Sequence, residues 1–253
     1  MKHTKRILCL CAALAMALSA TVGCTVAPSD DPQETEGSGE STEVVTKKEE
    51  SEGETERETE RETEPIPDDI YSEGLEYTLL DNGTYEVSGL GSCEDTEVII
   101  PATHERKAVT SVGIRVFEKC SSLTSVIIPD SVTSIGFGAF CDCTNLTSVT
   151  IPDSVMSIGY RAFDNCSSLT SITIPDGVTN IGGRMFSKCS SLTSVTIPDS
   201  VTSIDLQAFA LCRTLTDIYF KGTHVQWEAI EKGSDWDTGI ANYTIHYNYT
   251  PEQ

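Results

Sequence analysis

LTSVTIPDSVMSIGYRAFDNCSS, residues 146–168, is the stretch of sequence that decides the fold. In its first part Val149 and Ile151 alternate with Ser and Thr, which is typical of a β-strand with one buried face. Pro152 ends this strand because it has no N–H to donate to a ladder. A second apolar group follows and leads to Phe163. The stretch therefore predicts a strand, a turn and an apolar corner.

The same pattern returns along the chain with a step of 23 residues. Four residue types keep this step: Cys120, Cys143, Cys166, Cys189 and Cys212; Phe117, Phe140, Phe163, Phe186 and Phe209; Leu123, Leu146, Leu169, Leu192 and Leu215; Pro129, Pro152, Pro175 and Pro198. Such periodicity identifies an array of repeats. A single repeat cannot bury its apolar face or pair its strand alone, so the repeats must stack. We expect coils about 4.8 Å apart, with their strands in a parallel ladder.

The repeat C-S-S-L-T-S-V-T-I-P-D-S-V-T-S-I-G-x-x-A-F resembles the BspA-like leucine-rich repeats of bacterial surface proteins, over about Val98 to Phe220. The 23-residue length, the Pro after the strand and the Ala-Phe-x-x-Cys corner carry this resemblance. It implies a repeat solenoid: a right-handed leucine-rich-repeat coil, mainly β with short helical or 3-10 corners, capped at both ends. It also implies a surface lipoprotein that binds partners, because some BspA-like proteins are adhesins.

The segment before the repeats predicts an N-terminal cap. Residues 70–97 contain Asp81-Asn82-Gly83 between two alternating runs, which is a strong signal for a β-hairpin. The repeats proper are expected over residues 98–220. Their first coil is irregular, because 28 residues separate Pro101 from Pro129.

Residues 221–253 predict a C-terminal cap, with a short helix over Val225–Lys232 and a strand over Tyr243–Tyr247. Open solenoid ends expose apolar edges, so caps are required. The aromatic residues here have two interpretations: they plug the end of the coil, or they stack on sugar rings. They are Trp227, Trp236, Tyr243, Tyr247 and Tyr249.

Residues 1–24 predict an export signal, with three basic residues followed by the apolar run Ile7–Ala20. The string that ends in Gly23-Cys24 resembles a bacterial lipoprotein signal, in which the Cys is lipidated. We therefore expect lipid attachment at Cys24 and an exported protein anchored by lipid at the cell surface. The alternative is cleavage near Ala20 and a secreted protein.

Residues 25–69 predict a disordered acidic linker. They hold seventeen acidic residues, four basic residues and few apolar ones, so they cannot form a core. A spacer that lifts the repeats from the envelope is the functional interpretation, and a solubilising tail is the alternative. The net charge of the whole chain is −22 and no basic stripe offsets it, which excludes nucleic acid as a partner.

Outward positions of the predicted strands form the candidate binding face. These positions are Ser125, Ile127, Ser148, Thr150, Ser171, Thr173, Ser194, Thr196 and Tyr219. Ser and Thr are also ordinary residues of a solvated strand, and that interpretation stays open. The functional interpretation is a recognition surface, because solenoid faces commonly bind partners.

The cysteine ladder is compatible with buried thiols or with some disulfide pairing, because the chain is expected to be exported. Cys93 and Cys141 lie outside the ladder, and Cys141 is expected to be exposed. The sequence has no C-x-x-C zinc spacing, so we predict no metal. The repeating aspartates either cap their turns or form a calcium line; they are Asp130, Asp153, Asp176 and Asp199.

Catalysis has no support in the sequence. His3, His104, His224 and His246 belong to no motif with catalytic spacing, and no glycine-rich phosphate loop is present. We expect no enzyme activity, catalytic residue or cofactor. The predicted function is adhesin-like binding of an unknown protein or glycan ligand, of host or matrix origin, at the cell surface. The alternative is a carbohydrate-binding or scaffolding module of the cell envelope.

Overall fold

The computed structural model describes residues 71–250. The predictions of an export signal, of lipidation at Cys24 and of an acidic linker concern residues outside this range. Within it the chain winds into a β-solenoid whose complete coils are numbered from their buried leucine: coil 1 (123–145), coil 2 (146–168), coil 3 (169–191) and coil 4 (192–214).

Each coil contributes one strand to each of two parallel ladders. The first ladder contains β3 (Glu97–Ile99), β6 (Ser125–Ile127), β8 (Ser148–Thr150), β10 (Ser171–Thr173), β12 (Ser194–Ile197), β14 (Asp217–Phe220) and β16 (Thr244–His246). The second contains β2 (Tyr85–Gly89), β5 (Lys107–Val112), β7 (Ser134–Ile135), β9 (Ser157–Ile158), β11 (Asn180–Ile181), β13 (Ser203–Ile204) and β15 (Glu231–Lys232). Val126 pairs with Val149, and Ile172 with Val195, each one repeat apart. The expected parallel ladder is confirmed.

Pro152 separates the two strands of coil 2, as the sequence predicts. Its carbonyl oxygen accepts the N–H of Val155 at 3.1 Å, which closes a tight turn. Pro175 and Val178 form the same bond in coil 3. The proline thus ends one strand and aims the chain towards the other ladder.

Stacked phenylalanines form the core on the corner side. The rings of Phe117, Phe140, Phe163, Phe186 and Phe209 are almost fully buried, and neighbouring rings lie nearly parallel. Their centroids are 5.1–5.6 Å apart. The ring spacing follows the coil spacing, so each ring buries the faces of its two neighbours.

The corners are turns, where the sequence predicted short helical or 3-10 segments. The physical reason is the direction of the backbone hydrogen bonds. The N–H of Phe163 bonds to the carbonyl of Met185 in the next coil at 2.9 Å, so it is not available to a helix. Arg161, Arg184 and Gln207 each adopt positive φ at the equivalent corner position, which turns the chain sharply enough for these bonds.

An antiparallel hairpin caps the first end, as predicted. Its strands are β1 (Glu76–Leu79) and β2, and the N–H of Thr84 is held by the Asn82 side chain at 3.0 Å. The 28-residue spacing in the first coil also has an explanation. Its extra residues form a second hairpin, in which β4 (Thr103–His104) pairs with β5.

The second end is closed by α1 (His224–Ala229) and by the final strands of both ladders. Helix α1 is shorter than the predicted Val225–Lys232, because the chain enters β15 at Glu231. Trp236 takes over the position of the phenylalanines: its carbonyl accepts the N–H of Phe209, and the two rings meet edge to face. No helix within residues 71–250 has the length and apolar character needed to cross a membrane.

Both ladders are interrupted between coils 2 and 3, and we call this the open boundary. In residues 71–250, β8 has no ladder pairing with β10, and β9 has none with β11. The corner remains closed there, because Phe163 still bonds across to Met185. The Phe163–Phe186 distance of 5.6 Å is the widest in the phenylalanine stack. The two coils therefore splay apart on their strand sides.

Candidate functional site

The outward positions of the first ladder lie in two parallel rows, as the sequence predicts. Ser125 is aligned with Ser148 and, beyond the open boundary, Ser171 with Ser194. The second row contains Ile127 and Thr150, then Thr173 and Thr196. All of these side chains are exposed or half-buried.

The open boundary divides the candidate face into two panels. Strands β6 and β8 form the first panel, and β10, β12, β14 and β16 form the second. Val149, between the two rows in β8, is partly exposed, whereas its equivalents in β10 and β12 are buried. Nothing in the sequence pattern signals this division, because the outward positions keep the step of 23 residues across it.

The second panel ends in an aromatic cluster, which we define as Tyr219, His246 and Tyr249. The ring of Tyr219 stacks on His246, with centroids 4.7 Å apart and planes at 18°. It also contacts Tyr249, with centroids 4.6 Å apart. The alignment of β14 with β16 produces this stack, because Tyr219 and His246 are register partners.

Asp217 fixes the cluster from the side. Its carboxylate lies 2.8 Å from Nε2 of His246 and accepts the hydroxyl of Thr216 at 2.8 Å. The hydrogen bond with His246, which has the larger effect, and the hydrogen bond from Thr216 lower the pKa of Asp217 below its ordinary value. The carboxylate therefore holds the imidazole in place against Tyr219.

Of this cluster, the candidate face of the sequence analysis contained only Tyr219. His246 fell in the predicted cap with no role assigned, and Tyr249 was considered either as part of the plug at the end of the coil or for sugar stacking. The step from Tyr219 to His246 is 27 residues, so a search at 23 residues misses it. The additional length is accommodated by α1 between β14 and β15.

Comparison with known proteins identifies the repeat. A family model of the BspA type leucine rich repeat region matches residues 110–231 in six copies. Residues 110–231 are a BspA-type leucine-rich repeat region. The resemblance found in the sequence is thereby confirmed.

Several solved structures are similar to this chain, including those of two leucine-rich repeat proteins. The leucine-rich repeat protein of T. pallidum is 26% identical, with a TM-score of 0.52 over 66% of this chain and 85% of that chain. A leucine-rich cell surface protein from Faecalibacterium prausnitzii A2-165 is 33% identical, with a TM-score of 0.50 over 70% of this chain and 53% of that chain. This chain thus spans about half the length of the second protein. A search of the curated proteins found no match.

The C-terminal cap does not offer its tryptophans to a ligand. Trp227 is 3% exposed and Trp236 is 8% exposed, and the two rings meet edge to face. Trp227 also packs against Phe220. The sugar-stacking interpretation is therefore wrong for both tryptophans, because their faces are covered by the core that they plug.

The cysteines of the BspA-type region are free thiols with a structural role. Cys143, Cys166, Cys189 and Cys212 are buried, and each donates its S–H to the carbonyl of the phenylalanine 26 residues earlier, at 2.9–3.2 Å. Burial is the main cause that raises the pKa of Cys143 to about 12 and that of Cys166 well above its ordinary value. The sequence was compatible with buried thiols or with some disulfide pairing, and in the structure these four cysteines are buried thiols.

Cys141 is buried, at 2% exposure, and the expectation that it is exposed is wrong. Its side chain points into the corner, where the Arg161 guanidinium approaches its sulfur at 3.6 Å. Glu118, Cys141 and Asp142 bring one potential ligand atom each within 4.8 Å of one another. However, burial and the charge of Asp142 raise the pKa of Cys141 to about 11, which disfavours the thiolate that a metal requires.

The repeating aspartates are exposed at the turns between the ladders. Asp176 pairs with Lys221 at 2.5 Å. Among residues 71–250, the side chains close enough together to hold a metal ion are Glu118, Cys141 and Asp142, and none of the repeating aspartates belongs to this group. The turns are closed by the proline carbonyls, as in coil 2, where Pro152 bonds to Val155.

The three histidines of the described residues have neighbours suited to packing. His104 stacks on Tyr77 with a centroid distance of 3.9 Å. His224 lies against Tyr247, and His246 belongs to the aromatic cluster. The leucine-rich-repeat fold of the BspA-type region is typical of proteins without catalytic activity.

Proposed function

We propose that this protein is a non-catalytic surface protein that binds a host, matrix or neighbouring-cell protein through the candidate face. The observation that carries the proposal is the aromatic cluster, Tyr219, His246 and Tyr249, at the end of two rows made up mainly of Ser and Thr. The cell-surface description of the F. prausnitzii relative supports display of this protein.

The arrangement has the composition of a protein-binding interface. Tyrosine is enriched among the residues that dominate binding energy, since a ring buries a large area at a small entropic cost. Tyr219 is half-buried, and His246 and Tyr249 already order its ring. The Ser and Thr rows can donate and accept hydrogen bonds without the cost of burying a charge. A partner therefore finds an ordered aromatic anchor beside a polar surface of mostly uncharged side chains, with Asp217 held by His246.

The experiment is a screen of the full-length exported protein against purified matrix, serum and glycan arrays. The test variant is Tyr219→Thr with His246→Thr, because Thr150, Thr173 and Thr196 occupy the equivalent row. We expect a protein ligand whose affinity falls by at least about tenfold in this variant, as for an interface hot spot.

The matched control is Tyr160→Thr, which removes an exposed aromatic ring outside the candidate face. It should bind as the unmodified protein does. Equal affinity in all three proteins would show that the aromatic cluster is not the anchor. Capture of glycans alone would favour the carbohydrate-binding alternative, and turnover of any envelope substrate would overturn the non-catalytic assignment.

Display at the surface is proposed to depend on a lipid at Cys24, with residues 25–69 as the spacer. An acyl-modified cysteine followed by a highly charged segment would hold the repeats away from the membrane. Cys24→Ser should move the protein from the membrane fraction to the detergent-free supernatant. Unchanged membrane retention of that variant would contradict lipid anchoring.

A further inference from the structure

The last strand of the first ladder has one unpaired side, which we call the β16 edge. Strand β16 pairs with β14 in parallel and, within residues 71–250, has no second strand beside it. The N–H of Thr244 bonds to the carbonyl of Thr216, so the peptide groups of Thr244 and His246 face β14. Backbone groups alternate in direction along a strand, and the N–H and C=O of Ile245 therefore face away from the ladder. Neither has a hydrogen-bond partner among the described residues.

The opposite end of the same ladder is closed. There the N–H of Ile99 in β3 bonds to Oγ of Ser72 at 3.1 Å, and the Ile99 carbonyl accepts the N–H of Ser72 at 3.0 Å. At the end of the second ladder, the ammonium of Lys232 in β15 bonds to the carbonyls of Trp227 and Ile230. Unpaired strand edges are templates for pairing with other chains, and such covers and lysines protect them. In the part of the chain that the structure describes, the β16 edge has no such protection.

The side chain of Ile245 is less covered than its equivalents in the ladder. Ile218 and Val195 hold the same position in β14 and β12, and both are fully buried. Ile245 packs on the core but stays partly exposed, as do Tyr243 and Tyr247, two residues before and after it. Each earlier side chain is covered by the strand of the following coil. An added strand with an apolar residue at this position would cover Ile245 as β16 covers Ile218.

The cap that contains β16 is acidic. Residues 221–250 hold two lysines and four carboxylates, which belong to Glu228, Glu231, Asp235 and Asp237. Both lysines are engaged, because Lys221 pairs with Asp176 of coil 3 and Lys232 is held by backbone carbonyls. The excess negative charge favours a basic partner. It disfavours a second copy of this chain, since pairing of two β16 edges would bring the same carboxylates together.

We propose that the β16 edge binds an extended, basic peptide segment of a partner protein, which joins the first ladder as a further strand. The segment pairs its backbone with Ile245, covers the Ile245 side chain with an apolar residue and directs lysines or arginines to the carboxylates of the cap. In strand addition of this kind, backbone hydrogen bonds supply affinity and alternate side chains supply specificity. The inference goes beyond the proposed function and does not rest on it, because the candidate face presents outward side chains rather than a strand edge.

The probes are three synthetic peptides built on LTSVTI, residues 192–197, a strand that already fits this ladder. The first peptide carries two lysines at each end, and the second carries two glutamates at each end. The third is the lysine peptide with Pro in place of Val195, which removes one backbone donor. Fluorescence anisotropy with the full-length protein should show saturable binding of the lysine peptide. We expect at least about tenfold weaker binding of the other two peptides.

Ile245→Pro tests the backbone pairing from the side of the protein. Proline removes only the N–H that faces away from the ladder, and edge strands tolerate proline at such positions. We expect the affinity for the lysine peptide to fall by at least about tenfold. Ile245→Ala is the matched control, because it keeps this N–H and removes most of the apolar side chain, and it should bind more tightly than Ile245→Pro. Equal losses would show that the Ile245 backbone does not pair.

Circular dichroism checks that both variants keep their β structure. The proline-containing peptide tests the same pairing without any change in the protein.

Glu231→Gln with Asp235→Asn tests the charge of the cap. This variant should bind the lysine peptide at least about threefold more weakly, and its binding should depend less steeply on salt. Asp81→Asn with Glu94→Gln is the control, since it makes the same change in charge on exposed residues at the opposite end of the solenoid. The control should bind normally. Equal losses in the two variants would contradict a role for the cap.

Light scattering distinguishes a partner peptide from a second copy of the chain. The Cys24→Ser protein is used, so that no lipid contributes to association, and it should be a monomer. A dimer that dissociates in Ile245→Pro would assign the β16 edge to a second copy and overturn the proposal. Absence of saturable binding, or equal binding of the three peptides, would also overturn it. None of these results bears on the candidate face, which is tested with other variants and other ligands.

Discussion

Ser200 donates its hydroxyl to the carbonyl oxygen of Val178, 2.8 Å away in the preceding coil. Ser154 makes the same bond to Val132 at 2.7 Å, so the hydroxyl acts as a clamp between coils. Coil 3 has Gly177 at this position and cannot form the clamp to Val155. The missing clamp coincides with the open boundary, where both ladders are interrupted.

Gly177→Ser should restore this clamp. A Cβ at Gly177 would lie 3.2 Å from the Val155 carbonyl oxygen, which is close, but coils 2 and 3 are free to adjust at the open boundary. We expect the free energy of unfolding to rise by about 1 kcal/mol, from one hydrogen bond and a less flexible unfolded chain. Denaturant unfolding would measure this change.

Hydrogen exchange provides the structural readout for the same variant. The amides of Thr170, Thr179 and Gly182 form no backbone hydrogen bond across the open boundary. Their exchange should slow in Gly177→Ser if the ladders close. The reverse substitution, Ser154→Gly, should cost about 1 kcal/mol. Unchanged exchange together with unchanged stability would show that the clamp does not control the boundary.

The phenylalanine stack should dominate the stability of the solenoid. Phe163→Ala removes a fully buried ring that contacts both Phe140 and Phe186, so we expect a loss of about 3–5 kcal/mol. Phe137→Ala is the control, because this ring is only partly buried and should cost much less. Equal losses in the two variants, measured by denaturant unfolding, would contradict the central role of the stack.

Alkaline pH should destabilise the protein through the buried thiols. Burial raises the pKa of Cys143 from 9.0 to about 12 and that of Cys166 well above 9.0. As the pH rises above about 9, the unfolded chain loses these protons first, so the stability present below pH 9 declines until the folded thiols also ionise. The free energy of unfolding should therefore fall from pH 8 to pH 10.

Cys166→Ala tests the origin of this decline. The variant lacks one buried thiol, so its stability should fall less steeply than that of the unmodified protein over the same interval. The interval ends at pH 10 because the pKa of Tyr77 and of Tyr243 is also raised above 10.0, and these side chains contribute at higher pH. An identical slope in both proteins would assign the decline to other groups.

Deletion of coil 2, residues 146–168, should yield a shorter solenoid that still unfolds in one cooperative transition. The deletion joins Asn145 to Leu169 and leaves every remaining coil with a neighbour. Stability should decrease because one phenylalanine layer is lost. Independent melting of the two flanks, seen as two transitions in calorimetry, would contradict mutual dependence of the coils.

Sequence alone determined the solenoid, because a step of 23 residues fixes which side chains face inwards. It also gave the strand at Val149, the turn at Pro152 and the N-terminal hairpin, since each depends on local chain properties. It did not give the form of the corners. Their backbone groups bond to the next coil, as Phe163 does to Met185, and a bond between coils is invisible in a single repeat.

Only the tertiary structure decided where the chemistry lies. The aromatic cluster forms because Tyr219 is aligned with His246. This alignment is possible because the residues in excess of one repeat are taken up by α1 between β14 and β15. The burial of Asp164, whose Oδ1 has no hydrogen-bond partner among residues 71–250, likewise follows from the packing of neighbouring coils. The repeat pattern specifies each coil. Features such as the open boundary at Gly177 and the aromatic cluster at Tyr219 arise where the sequence departs from the repeat, and their effect depends on which coils are stacked against each other.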